Sequence, residues 1–503
     1  MTDVAAERRR RRLRRLLFKV HKWAGLVAGF WLLVLGATGI VLDHDEWRWA
    51  RQITVPQSWV SPTVARLLPA TRMRYVAVDA NDTRRWIGGS ERGLWWTEDG
   101  GKVWLPVEFS GLDGEVPQVT SLVSREDGLA GVYLATDDGI WVTTDHGRRA
   151  ARAFLDGVFV HQMTTGSTAD ELVGIVGHDR VFRLDLRDPG AVTYQSFHDV
   201  QVSGLPEHVS LYRFVFDLHF GYGIGNRTVS TLLNDYAGFA LIVLAVSGFL
   251  FWWFPRRWRR ATHAIDAQYK KGVFNWLYRC HAPIVGLLAL LPIGYLALTA
   301  IPMSHVGGFG TWAQDVMLPR RALTPVYQYS SLRGELDHVV AYPNDKQRLS
   351  VGTRFGVLHT FDGGQTWQAD AAVPQSRGNL FRVGAATFFS DIGSHFFRPA
   401  DDEAWQPLEG LLTGVTHGVQ VGEQWVLKNS QGFHLGTLDG GVEPSDIAVM
   451  PALPGSTLYL FLIEIHVGLI VHRQFKWVND VVSVFALLLV ITGPILWWRT
   501  KWR

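Results

Sequence analysis

The sequence predicts a membrane protein: a bundle of four transmembrane helices with an internal duplication, plus an all-β, propeller-like periplasmic domain built from two inserts. Three observations lead there. Four apolar runs, roughly 18–43, 235–254, 278–302 and 478–498, are each long enough to cross a hydrocarbon core of about 30 Å, which takes about 20 residues. The stretch from Tyr212 to Trp253 recurs in degenerate form from Tyr459 to Trp498. The long segments between the runs, 45–210 and 304–456, are rich in Gly and Trp and break into short strand-like units.

Composition agrees with this class. Of 503 residues, 47% are hydrophobic and 19% charged, the mixture of a membrane protein with a large water-exposed part. The net charge of +3 says less than its distribution. Basic clusters lie at Arg8–Arg15, Pro255–Lys271 and Arg499–Arg503, and all three abut apolar runs. That is the positive-inside pattern, and it argues against a nucleic-acid-binding face. It places the basic N-terminus 1–17, the loop 255–277 and the tail 499–503 in the cytoplasm, and both inserts in the periplasm beyond an inner membrane. Trp23, Trp252, Trp253, Trp497 and Trp498 then form the inner aromatic belt. The N-terminal apolar stretch is too long for a signal h-region and reads as a retained helix. Pro283, Pro292 and Pro302 make the third run the one expected to bend.

The duplication is read residue by residue. Tyr212, Asp217, His219, Gly221 and Asn234-Asp235 correspond to Tyr459, Glu464, His466, Gly468 and Asn479-Asp480, with a two-residue gap after the Gly. Ser247-Gly248 and Trp252-Trp253 correspond to Thr492-Gly493 and Trp497-Trp498. Upstream, His21 and Gly25 match His281 and Gly286, and a one-residue offset then aligns Thr38 with Thr299 and His44 with His305. Each half is thus a helix, a long insert, a His-containing interfacial segment (211–233 or 457–477) and a second helix.

The inserts carry a turn motif. Thr97 to Trp104 and Thr360 to Trp367 both fit Ser/Thr-x-Asp-x-Gly-x-x-Trp, the Asp-box of sialidase-like propellers; Thr143 to Gly147 is a third without its Trp, and Thr437 to Gly441 a weaker fourth. Unit spacings of about 40–46 residues suit four-stranded blades, about three in each insert. The Asp accepts backbone bonds within the turn, Gly permits positive φ, and Trp packs between blades. The motif marks a fold and carries no catalysis, and the arginine cluster and Tyr nucleophile of a sialidase are not found.

Chemistry is expected at the histidines. An ionisable group at membrane depth is costly and usually faces a functional interior. His21 and His44 are 23 residues apart, about 35 Å of helix at about 1.5 Å per residue, which puts one at each membrane face; His281 and His305 repeat this. Imidazole is the commonest metal ligand and an axial ligand of haem iron, so the pairs His21/His281 and His219/His466 can each hold one b-type haem on a pseudo-twofold axis. The remaining imidazole nitrogen is expected to find a backbone carbonyl, since Asp217 and Glu464 face away along a helix. His44, His305 and His472 are weaker candidates. The competing reading of each His is an interfacial contact with lipid or water. The nearby glycines can admit a flat macrocycle, or serve close helix packing. With Cys280 as the one cysteine, an intramolecular disulfide and Cys-x-x-Cys-His haem attachment are excluded.

These residues resemble a known family. His21-Lys-Trp23-Ala-Gly25-Leu with Thr38-Gly39, and Leu218-His219-Phe-Gly221 with Ser247-Gly248 and Trp252-Trp253, look like the signature of the PepSY-associated transmembrane helix family, over roughly 130 residues. The resemblance implies haem-containing inner-membrane reductases of the ferric-siderophore kind, with His21, His281, His219 and His466 as ligands. Two departures stand out: blades replace the small PepSY domains of relatives, and no Gly-x-Gly-x-x-Gly nucleotide-binding unit is present. The resulting expectation is a di-haem b electron-transfer protein. Its donor is a separate reductase or a quinol, and its periplasmic acceptor is a ferric siderophore or another metal complex. The alternative is a non-enzymatic, membrane-anchored propeller that binds or regulates a periplasmic partner. The bilayer is a partner in both, and nucleic acid in neither.

Overall fold

A computed structural model describes residues 2–501 apart from 45–46, 63–72, 80, 91–92, 113–115, 126–127, 189, 226, 260–265, 392–393, 412–413, 423, 430–431, 437–441 and 446–454. The chain divides into two compact units. Residues 1–50, 208–326 and 457–503 form one, and 51–207 with 327–456 form the other.

The first unit is helical. It contains α1 (Thr2–Asp43), α2 (Leu211–His219), α3 (Arg227–Arg259), α4 (Ala267–Arg279), α5 (Leu290–Ser304), α6 (Val306–Asp315), α7 (Leu458–Val467) and α8 (Lys476–Lys501). Segments of α1, α3 and α8 are long and apolar enough to cross a membrane. The third apolar run differs from a single straight span over 278–302. A π-helical turn, Cys280–Gly286, with Pro283 inside it, continues α4, and the segments Ala267–Gly286 and Leu290–Ser304, on either side of the short break that follows it, are bent by 67°. Pro removes a donor and crowds the preceding turn, and π-turns are common causes of such kinks. Counting the bent pair as one span brings the number to four. The arginine-rich N-terminal stretch, expected as a separate basic tail, continues α1 as helix.

Small residues set the helix contacts. α1 packs against α3 and α8, and α5 packs against the same two. A Cβ on Gly36 would lie 2.6 Å from the Gly238 carbonyl oxygen, and one on Gly238 would lie 2.9 Å from the Gly36 oxygen. Backbone approach of this kind gives dispersion contact in a setting where lipid offers no hydrophobic drive. Ala28, Ala297, Ala486, Ala237, Ala240 and Ala289 are buried around it. The two short helices start alike: the Ser210 hydroxyl accepts from the Arg213 N–H, and Thr457 from the Leu460 N–H, each at 3.2 Å, satisfying first-turn donors.

Among the described residues the second unit is a ring of six mainly antiparallel sheets. Three arise from the first insert, with first strands Met73–Val78, Val119–Arg125 and Val160–Thr165, and three from the second, with first strands His338–Tyr342, Asn379–Val383 and Val415–Val421. These first strands touch in cyclic order, the sixth also touching the first, so the ring is closed and its inner edges are protected. The inserts also interlock. Gln201–Ser203 from the first runs parallel to Thr366–Gln368 and completes the fourth sheet.

The two full turn motifs share one geometry. Thr97 Oγ1 donates to Asp99 at 2.7 Å, and Asp99 accepts the backbone N–H groups of Lys102 and Val103; Thr360 and Asp362 repeat this with Gln365 and Thr366. The third motif differs. The Thr143 hydroxyl donates to the Leu129 carbonyl, and Asp145 and His146 have φ of 51° and 53°. Thr437 to Gly441 lies outside the described residues. Trp367 is 1% exposed and meets Phe197 at 5.1 Å, whereas Trp104 is only half-buried against the cluster of Met73, Val426 and Phe433.

Candidate cofactor-binding site

The helical unit brings His21 and His281 together. Their ring centres are 6.3 Å apart with planes at 84°. Two imidazole nitrogens on opposite sides of one first-row metal, at about 2.0–2.1 Å from it and each about 1.1 Å from its ring centre, would put the centres about 6 Å apart. The observed spacing therefore fits one metal ion between the rings.

Neighbouring helices fix the tautomer of all four candidate histidines. His21 Nδ1 lies 2.8 Å from Thr492 Oγ1, and His281 Nδ1 2.7 Å from Ser247 Oγ. His219 Nδ1 is 3.1 Å from Thr299 Oγ1, and His466 Nδ1 2.8 Å from Thr38 Oγ1. Each hydroxyl already gives its one proton to the carbonyl four residues back in its own helix: Thr492 to Leu488, Ser247 to Val243, Thr299 to Tyr295 and Thr38 to Val34. A hydroxyl has a single proton, so each imidazole must donate from Nδ1. The lone pair is then left on Nε2, the arrangement a metal-binding imidazole needs. The expected backbone-carbonyl partner is replaced by a hydroxyl that relays the bond to a carbonyl.

Glycines sit beside these rings, though not the ones nearest in sequence to the histidines. A Cβ on Gly39 would lie 3.6 Å from His466 Cε1, and Gly248 and Gly493 stand in the same relation to His281 and His21. Gly221 and Gly468 instead adopt φ of 72° and 80°, ending the short helices in left-handed turns. The Nδ2 groups of Asn234 and Asn479 donate to the carbonyls of His219 and His466, at 3.1 and 3.2 Å, tying each short helix to the long one that follows. The Asn oxygens in turn accept from the Tyr295 hydroxyl and from Trp31 Nε1.

The weaker candidates are engaged elsewhere. His44 Nε2 is 3.0 Å from Asp235, and His305 Nε2 is 2.6 Å from Asp480; His472 caps a short turn, its Nδ1 accepting from the Gln474 N–H. Asp217 pairs with Arg213 at 2.8 Å, away from the imidazoles.

Around His21 and His281 opens a cavity of about 1190 Å³, above the usual range for small-molecule sites of about 300–1,000 Å³. Leu26, Leu244, Phe251, Leu290 and Leu489 make its apolar wall, and Arg11, Arg14, Arg15, Lys19, Lys22 and Arg256 contribute positive charge. The sequence carried a signal for this that its reading left unused: Arg11, Arg15, Phe18 and Lys22 recur at helical spacing.

A helical unit with apolar spans and half-buried histidines, together with a second unit made of a ring of sheets, defines a membrane protein of propeller-like β content. The chain matches the PepSY-associated TM region family over residues 18–500 and belongs to that family. No curated protein matches it. Among solved structures it is similar to an ancestral GH74 enzyme, with 10% identity and TM-score 0.34 over 73% of this chain and 35% of that one. It is similar to the extracellular domain of a protein described as a hybrid two component system from B. thetaiotaomicron, at 8% and 0.36 over 76% and 36%. The β-propeller domain of Cps50 (Swd1) from Myceliophteria thermophila gives 10% and 0.32 over 76% and 88%. The chain thus spans little more than a third of the length of the first two.

Proposed function

We propose that the helical unit is an internally duplicated four-helix bundle that holds two b-type haems, the inner through His21 and His281, the outer through His219 and His466. It passes electrons from the cytoplasmic side or the quinol pool to a periplasmic acceptor, of which a ferric siderophore or another oxidised metal complex is the candidate. The observation that carries this reading is the hydroxyl-fixed tautomer of all four histidines, with His21 and His281 spaced for one metal.

When bound, haem supplies one-electron redox chemistry whose potential depends on axial ligands and burial. The protein's own residues do the rest. Thr492 and Ser247 orient the inner imidazoles, and Thr299 and Thr38 the outer. The apolar wall excludes water, while the arginines and lysines of the inner cavity suit the carboxylates of a b-type macrocycle. The same basic residues favour a cytoplasmic location for both termini and for the loop after α3, with the β ring in the periplasm. Its two complete turns have the bonding of sialidase-type Asp-boxes, which supports a scaffold role for the ring.

The purified protein's visible spectrum tests this. An intense Soret band, with sharp α and β bands on reduction, is expected. A colourless, fully folded protein would leave the alternative of a membrane-anchored propeller that binds a partner.

A further inference from the structure

A second histidine cluster lies in the β unit. His161, His178 and Asp337 each offer a ligand atom, all within 4.8 Å of one another. His161 and His178 have ring centres 3.9 Å apart, and His178 and Asp337 are buried. His161 lies on the first strand of the third sheet, His178 in the turn after that sheet's second strand, and Asp337 just before the first strand of the fourth. The cluster therefore joins the two inserts where the ring passes from one to the other.

We propose that this cluster is a binding site for a divalent transition cation of the imidazole-preferring kind, such as Zn²⁺, that clamps the seam between the inserts. Two imidazoles and one carboxylate form a recurrent ligand set for such ions. His178 Nδ1 is 2.8 Å from the Leu336 carbonyl oxygen and 3.3 Å from Asp337 Oδ1, both acceptors, so its proton is on Nδ1 and its lone pair on Nε2. The Leu336 N–H returns a bond to the His178 carbonyl at 3.2 Å, so the segment bearing Asp337 holds the turn that carries the imidazole. That turn places His178 at φ 58°, a conformation uncommon outside Gly and costly to keep without a purpose.

The neighbours select among cations. Arg377 donates to Asp337 Oδ1 at 2.7 Å, which offsets the carboxylate charge; His338 is a further titratable side chain close by. Ca²⁺ and Mg²⁺ require several oxygen ligands, and a single, already paired carboxylate does not supply them. An ion held chiefly by nitrogen tolerates that arrangement.

The test uses full-length protein in detergent, loaded with Zn²⁺, dialysed against metal-free buffer and assayed for zinc by mass spectrometry. The wild type should retain one zinc per chain and gain several degrees in the Tm of the β unit when zinc is present. His178→Asn, whose side chain tolerates the left-handed backbone, and Asp337→Asn should each weaken retention about 10-fold or more, while His338→Gln should retain it. Wild-type protein that keeps no zinc above background and shows no Tm shift would overturn the proposal, whether or not the variants fold. Equal retention by folded His178→Asn would overturn it as well.

Discussion

Trp367→Ala probes the seam between the inserts by packing alone. Trp367 is 1% exposed, lies edge-on to Phe197 with ring centres 5.1 Å apart, and donates from Nε1 to the Gly364 carbonyl at 3.1 Å. Phe197 follows the last strand of the third sheet, whereas Trp367 belongs to the fourth, so the pair crosses from one insert to the other. Truncation removes the indole from a place that cannot collapse, because Gly364 and Phe197 are fixed by strands on either side. Buried Trp→Ala changes cost about 3–5 kcal/mol, a large share of a domain's roughly 5–15 kcal/mol. Trp104→Ala, in the equivalent turn but only half-buried, should cost about half as much on the same scale. Urea unfolding followed by β-sheet circular dichroism measures both, since a changed midpoint at constant slope is a change in stability. Equal midpoints for the two variants, or a Trp367→Ala loss below about 1 kcal/mol, would refute the shared-ring reasoning.

Three further outcomes follow from the geometry. Burial opposes ionisation of Asp370, but hydrogen bonds from His359 and Trp405 outweigh it and hold its pKa at about 2, below the ordinary 3.8; its side chain is 13% exposed. Its contribution, about 2 kcal/mol, is present above about pH 4 and lost as pH falls toward 2; Asp370→Asn should abolish this part of the acid dependence, and an unchanged acid limb in stability against pH would count against the assignment. Thr492→Val keeps the shape but removes the acceptor for His21 Nδ1, so haem should remain while the midpoint potential and reduced spectrum shift; potentiometry identical to wild type would make the hydroxyl a packing group only. Reporter fusions at Gly131 and Gly418 should read periplasm and a C-terminal fusion cytoplasm, and a cytoplasmic signal from either insert would contradict the topology.

Much of the β fold was legible in its turn motifs. The Thr-x-Asp-x-Gly-x-x-Trp turns and their spacing predicted short four-stranded units, about three in each insert, and three sheets do arise from each. The interlock through Gln201–Ser203 was not legible, since a three-residue edge strand carries no periodicity of its own. In the membrane unit, proline content pointed to a bend in the third apolar run but not to a π-turn at His281. The repeated His and Gly positions led to His21, His281, His219 and His466. Their hydroxyl partners lie on other helices, and Thr38, Ser247, Thr299 and Thr492 acquire meaning only once helix packing sets them beside the rings. Likewise Asp235 and Asp480 were visible as repeated residues, but their pairing with His44 and His305 is a tertiary fact. The cluster of His161, His178 and Asp337 has no sequence signature at all, because its members come from both inserts.

The central claim is that these four histidines, paired as inner and outer sets, hold two haems. Haem per chain, measured by pyridine haemochrome on purified His21→Ala and on His21→Ala/His219→Ala, tests it most directly, with a melting curve of the β unit to confirm that each variant is folded. The account predicts two haems in the wild type, about half that content in the single variant, and none in the double. Wild-type haem content in both variants would contradict it.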